Sequence, residues 1–175
     1  KPVESSWSWQ LSATRKGRQL ARSKPFDLIY STGGAFAAHL AGYQLQRSLG
    51  IPWLAEIHDP MVQPGTQPTT RRQKAYARVE SIICAHADAV IWFTQQAMLS
   101  ALRRTPQLGK RGRVMLPGVD SPFKNQWPAY QAGSKLVIGH FGSLSATRTL
   151  TPFMHAWHWI EQNEPAAGKD LELHI

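Results

Sequence analysis

The sequence predicts an α/β protein built on a doubly wound parallel sheet of Rossmann-like type. Two observations predict it. Short apolar segments rich in β-branched residues alternate with longer segments of helical spacing. The apolar segments also lack clean polar alternation, as strands covered on both faces do. Taken in order, residues 4–23 read as a helix carrying Trp7, Trp9, Leu11 and Leu20 beside Arg15, Lys16, Arg18 and Arg22, with Gly17 weakening it. Residues 26–31 (FDLIYS) form a strand between Pro25 and the pair Gly33-Gly34. Residues 35–49 form a helix that Gly50 ends. Residues 52–58 (PWLAEIH) are the next strand, followed by a polar loop rich in Pro, Gly and Thr over 60–70. A helix over 71–86 leads to a strand over 88–94. Thr94 then caps a helix over 95–104, and residues 113–117 (RVMLP) form a further strand.

Residues 125–134 (NQWPAYQAGS) break this rhythm and read as a linker. A second run follows, with a strand over 135–142, a helix over 148–162 and a strand over 170–175. The expected organisation is a first Rossmann-like domain over 1–124, the linker, and the start of a second domain over 135–175. A strand-helix-strand unit of that size is too small for a complete core, so both domains are expected to be partial.

The chain has 175 residues, a formal charge of +9 and one cysteine. Cys84 follows Ile82 and Ile83 in an apolar helical pattern and reads as a core residue. The absence of any cysteine pair favours a reducing, cytoplasmic setting. Residues 1–124 hold 17 Lys/Arg against 7 Asp/Glu, and residues 125–175 hold 3 against 4. A basic first part draws phosphate-bearing ligands, anionic membrane surfaces or polyanions. A nucleic-acid-binding domain is therefore the main alternative to an enzyme. No stacking platform and no helix-turn-helix, RNA-recognition or zinc signature accompanies the charge.

In an open parallel sheet, ligands bind beyond the carboxyl ends of the strands. That rule selects Gly33 and Gly34 after the first strand and His58 and Asp59 after the second. It selects Thr94 after the third, Gly118 and Asp120 after the fourth, and Gly142 and Ser143 after the first strand of the second domain. His58 and Asp59 are the candidate catalytic pair. In GHFGSLSATRTL (139–150), Gly142 and Ser143 precede a helix start, and Arg148 offers a planar fork of donors, which suits a phosphate. The dinucleotide fingerprint and the P-loop are both absent. His155 and His158 lack a third ligand, so no metal site is expected. His39, His86, His140 and His174 stand alone and read as structural.

Several stretches together resemble the glycosyltransferases of the GT-B fold, family 4: IPWLAEIHDPM (51–61), HADAVIWFTQQA (86–97), VMLPGVDSPF (114–123) and KLVIGHFGSLSATRTLTPFMHAW (135–157). The resemblance implies a metal-independent enzyme that moves a sugar from a nucleotide sugar, UDP- or GDP-linked, to a glycan or lipid-linked acceptor. It implies that His58 lies near the sugar and acceptor, and that Gly142, Ser143 and Arg148 lie near the donor diphosphate. Many members carry Arg at the place of Ser143, Lys at that of Arg148 and Asn at that of Pro117. The family's glycine-rich loop is expected before Lys1 and its paired glutamates beyond Ile175. Members that build lipopolysaccharide, glycolipid or capsule imply a peripheral place at the membrane, through Trp7, Trp9 and the cations of the first helix. A nucleotide-binding α/β enzyme of another class, such as a sugar epimerase, is the third reading.

Overall fold

The computed structural model describes residues 5–34, 36–118, 120, 129, 133–145 and 149–175. Contacts divide the chain into two units, residues 1–119 and 120–175. The first unit opens with a 3-10 turn (Ser5–Ser8) and α1 (Trp9–Ser23). It continues through β1 (Ile29–Thr32), α2 (Phe36–Leu49), β2 (Trp53–Ile57), α3 (Arg71–His86), β3 (Ala89–Trp92) and α4 (Gln95–Arg104). A 3-10 stretch (Pro106–Arg111) and β4 (Gly112–Val114) complete it. The second unit holds β5 (Leu136–Gly139), α5 (Thr151–Asn163), α6 (Pro165–Lys169) and β6 (Leu171–His174). Most of the expected linker, and Arg148, lie outside the described residues.

Local chemistry sets the helix starts. The Thr70 side chain accepts from the Gln73 amide, and the Gln73 side chain accepts from the Thr70 amide, a reciprocal cap that begins α3 at Arg71. Thr94 accepts from the Ala97 amide at 3.3 Å and begins α4. At the far end of α3, Arg111 donates to the carbonyls of Cys84, at 2.7 Å, and Ala87, which the helix itself leaves without partners. Gly17 lies where α1 meets α2: a Cβ there would stand 2.8 Å from Leu45, so the residue serves packing rather than helix propensity.

The four strands of the first unit are all parallel and lie in the order β1-β2-β3-β4. Right-handed crossovers that always step the same way deliver α2, α3 and α4 to one face of the sheet. Burial follows from this. Ile29, Ser31, Trp53, Ala55, Ile57, Val90 and Trp92 face the helices and are buried. Tyr30 is exposed, and Leu54, Glu56 and Ile91 on the alternate face are only half buried. The expectation of cover on both faces is thus met on one face among the described residues. Val79, Ile83 and Cys84 of α3 and Ala97 and Ala101 of α4 complete the core with the strands. Truncating fully buried Trp53 or Trp92 to alanine would cost about 3–5 kcal/mol.

β1 begins at Ile29, later than residue 26 expected from the apolar run. It pairs on one side only, with β2. Its first ladder bond runs from the Ile29 amide to the Pro52 carbonyl at 2.9 Å. Pro52 has no amide to give back, so the pairing cannot extend toward Phe26. The 3-10 stretch was not evident in the sequence; Pro106 starts it and Leu108 buries completely beneath α4 and β4. In the second unit, β5 and β6 pair in parallel, and no residue of α5 or α6 is buried. Among the described residues, the buried hydrophobic core lies between Ile29 and Leu108.

One charged pair sits within the core. Glu80 is buried, and Arg104 reaches its two oxygens from Nε at 2.8 Å and from Nη2 at 2.9 Å. Arg104 also donates to Ser100 Oγ at 2.7 Å and to the Val62 carbonyl at 3.3 Å. The pair therefore ties α3, α4 and the loop after β2 together.

Candidate functional site

Because the four strands are parallel, their carboxyl ends share one rim. At β1, the Gly33 amide donates to the Glu56 carbonyl at 3.1 Å and carries the ladder one residue further. Gly33 then takes φ +99°, which an L side chain rarely adopts, and the chain turns away into α2. A buried hydrogen-bond chain holds this turn. Trp53 Nε1 donates to Ser31 Oγ at 2.8 Å, and Ser31 Oγ lies 2.9 Å from His39 Nδ1. His39 Nε2 lies 3.1 Å from the Gly33 carbonyl. A carbonyl only accepts, so His39 carries its proton on Nε2 and Ser31 donates to the bare Nδ1. Burial keeps the ring neutral by lowering its pKa. His39 is structural, as expected, and its structural task is to fix the rim.

The second set of polar groups stands on the open face. Thr32 pairs with Glu56 in register across β1 and β2. Its hydroxyl donates to Glu56 Oε1 at 3.1 Å, and the Tyr30 hydroxyl donates to Glu56 Oε2. His58 Nε2 lies 2.6 Å from Glu56 Oε1 and 3.0 Å from Thr32 Oγ1. The carboxylate can only accept, so Nε2 carries a proton and Nδ1 is left for a ligand. The Tyr30 hydrogen bond is the chief reason the Glu56 carboxyl titrates below its ordinary range; His58 and Thr32 add to it. The same bond pushes the Tyr30 phenol up. The His58 ring stacks on Phe93 with centroids 4.6 Å apart and planes at 20°. His58 remains 42% exposed while Glu56 is 12% exposed, so the carboxylate lies behind and the imidazole in front.

Asp59, next to His58 in sequence, joins Gly34, Met61, Val62, Gln73 and Tyr76 in lining a cavity of about 330 Å³ that neither His58 nor Glu56 lines. Tyr76 stacks on Phe36 at 3.8 Å, giving the cavity an aromatic wall. The cavity combines an apolar lining with one carboxylate, an arrangement that suits an amphipathic ligand.

The structure therefore brings Gly33, Gly34, His58 and Asp59 to the same rim. Thr94 follows β3 but uses its hydroxyl to cap α4; its neighbour Phe93 is the residue that meets His58. Gly118 is exposed with open space around it, and Asp120 is exposed and falls in the second unit. Gly142 and Ser143 follow β5 in the second unit and are exposed; Arg148 lies outside the described residues. Sequence reasoning missed Glu56 and Phe93. The signal for Glu56 was local: a carboxylate inside an apolar strand, two residues before a histidine, shares that histidine's side of the strand. Among the described residues, no group of three or more His, Cys, Asp or Glu could hold a metal ion, and no helix is long and apolar enough to cross a membrane.

Comparisons with known proteins bear on this arrangement. No curated protein matches the chain. Among solved structures, Anabaena HepE in complex with UDP and glucose is 16% identical, covers 99% of this chain and 45% of its own, and has a TM-score of 0.62. Sucrose-phosphate synthase from Thermosynechococcus elongatus is 17% identical over all of this chain and 52% of its own, with a TM-score of 0.60. The chain spans about half the length of these two structures. At such identities the likeness shows the fold, a Rossmann-like α/β architecture of the kind found in GT-B proteins. The glycosyl transferase 4-like domain matches residues 2–117, which is more than half of the chain and contains Gly33, Gly34, Glu56, His58, Asp59 and Phe93. The chain therefore belongs to the glycosyl transferase 4-like domain family.

Proposed function

We propose that this chain forms the acceptor side of an enzyme that moves a sugar from a nucleotide sugar to a glycan or lipid-linked acceptor. The observation that carries the reading is the His58–Glu56 pair at the strand-end rim, followed in the chain by Asp59, which lines a cavity. Glu56 holds the imidazole proton on Nε2, so Nδ1 presents a lone pair to a hydroxyl of the sugar or acceptor. Asp59 and the aromatic wall of the cavity orient the acceptor. UDP is the favoured carrier, since HepE is seen with UDP and glucose; GDP is the other candidate. A departing nucleoside diphosphate gains negative charge, and fixed donors lower that barrier. Gly142, Ser143 and Arg148 are the residues proposed for this task, without a bound metal. A cell-surface polysaccharide or lipopolysaccharide pathway accords with a lipid-linked acceptor.

The decisive experiment uses the complete protein that carries this chain. Thermal-shift screening against UDP-, GDP- and ADP-sugars should name one carrier. Transfer from the radiolabelled sugar should then be lost on His58→Ala and reduced on Glu56→Gln. Full turnover by His58→Ala would overturn the assignment, and binding of no nucleotide sugar would overturn the function.

A peripheral place at an anionic membrane is a second element of the proposal. Trp9 is 54% and Leu11 65% exposed on α1, which also carries Arg15, Lys16, Arg18 and Arg22. Pelleting of the protein with anionic but not neutral liposomes tests it, and indifference to lipid charge refutes it.

A further inference from the structure

We propose that a cleft between α1 and α2 is a binding site for a phosphate or diphosphate group. The cleft measures about 490 Å³ and shares no lining residue with the rim cavity. Thr14, Arg15, Arg18, Gln19 and Arg22 line it from α1, and Gln44 from α2. Arg15, Arg18 and Arg22 are spaced three and four apart, so one helix face carries all three guanidinium groups.

The cleft gathers cations without an anionic partner on its two helices. α1 and α2 together carry five Lys/Arg and no Asp or Glu. Elsewhere in the unit, Glu80 occupies Arg104 and the end of α3 occupies Arg111, while Arg71, Arg78 and Arg103 stand exposed. In the cleft, Arg18 Nε donates to Ser48 Oγ at 3.0 Å, which orients its guanidinium. The structure shows no acceptor for its Nη groups, nor for Arg15 or Arg22, among the described residues. Lys16 donates to Gln19 Oε1 at 3.3 Å, which leaves the Gln19 amide nitrogen as a donor.

Thr14 is 3% exposed, and its hydroxyl has no hydrogen-bond partner among the described residues. Buried hydroxyls are ordinarily paired, and a helical threonine can bond the carbonyl four residues before it. Thr14 lines the cleft instead. Three guanidinium forks and an amide nitrogen are all donors, with the unpaired Thr14 hydroxyl enclosed beside them, which suits a multiply charged anion with many acceptor oxygens. A lone carboxylate would engage only one of the forks. The phosphate could be free or carried as a lipid headgroup, and the test separates these sources.

Inorganic diphosphate is titrated calorimetrically into the full chain, and in parallel the protein is mixed with phosphatidylcholine vesicles with and without phosphatidylglycerol. Arg15→Gln with Arg18→Gln should weaken binding by at least about tenfold, because charge-assisted hydrogen bonds are lost. Arg103→Gln with Lys110→Gln removes the same charge from exposed positions outside the cleft and should change it by less than about twofold. Thr14→Val should weaken binding while raising the thermal midpoint, since it removes an unpaired hydroxyl at constant shape. A merely structural threonine would not move the two readouts in opposite directions. Diphosphate binding that follows this pattern supports a free phosphate ligand. Binding to phosphatidylglycerol vesicles alone, with the same pattern, supports a headgroup. Absence of both, or equal weakening by the control pair, overturns the site.

Discussion

Replacing Arg104 by methionine should destabilise the first unit in a way that depends on pH. The variant keeps the aliphatic bulk of the side chain but leaves Glu80 buried with no cation. Glu80 is almost wholly enclosed and normally meets two guanidinium nitrogens. Breaking a buried pair from one side costs about 3–5 kcal/mol, because the remaining charge is uncompensated. Burial already pushes the Glu80 carboxyl above its ordinary range, and Arg104 pulls it back. A carboxyl whose folded pKa is raised binds its proton more tightly when folded. Its protonation therefore supports stability at low pH, and that support is lost as pH rises through the folded value. In Arg104→Met the downward pull is gone, so the folded value climbs further. Each pH unit over which the variant alone keeps the extra proton restores about 1.4 kcal/mol relative to wild type. Urea unfolding followed by tryptophan emission, at about pH 7.5 and about pH 5.5, should show a clearly smaller deficit at the lower pH. Adding Glu80→Leu should recover most of the loss, since an apolar pair can replace a buried ion pair at little cost. A deficit equal at both pH values, or one under about 1 kcal/mol at the higher, would refute the reasoning.

The remaining predictions concern single side chains. Tyr30→Phe removes the main hydrogen bond holding the Glu56 carboxyl down, so its titration midpoint should rise when followed by carboxyl-carbon NMR. Any stability Glu56 adds is present above its unfolded pKa and lost as pH falls through the folded value, so the variant should lose it at higher pH; an unmoved midpoint refutes this. Thr94→Ala should cost about 1 kcal/mol in urea unfolding through loss of the α4 cap, and an unchanged midpoint would show that the cap is idle. Burial pushes the Cys84 thiol up to about 12, so a disulfide reagent should modify it only as the protein unfolds. Rapid modification of the native protein would contradict the packing around α3.

What the sequence disclosed depended on how far apart the deciding residues lie. α3 and α4 were legible to the residue because Thr70 and Thr94 act within one turn of themselves. The parallel sheet was legible because each strand-helix alternation is local. The start of β1 was not, because the residue that stops its ladder is Pro52, on another strand. The one-sided placement of α2, α3 and α4 was not either, since it depends on strand order, which local pattern does not encode. At the rim, His58 could be selected from its place after an apolar run. Its stacking partner Phe93 and the chain Trp53–Ser31–His39 required neighbours brought together by β2 and β3.

Glu56 and Glu80 of the first unit show how sheet sidedness places the chemistry. Glu80 faces the helix-covered interior, where desolvation dominates and a full guanidinium is needed to keep the pair in place. Glu56 faces the other side of the sheet, where two hydroxyls and an imidazole suffice, and its carboxyl is driven the opposite way. Had Glu56 fallen one position earlier or later in β2, strand alternation would have turned it into the helices. It would then compete with Trp53, Ala55 and Ile57 for the core. The order β1-β2-β3-β4 thus does more than build the sheet. By delivering three helices to one face, it leaves Glu56 half-buried on the other, where it steers a His58 that stays 42% exposed.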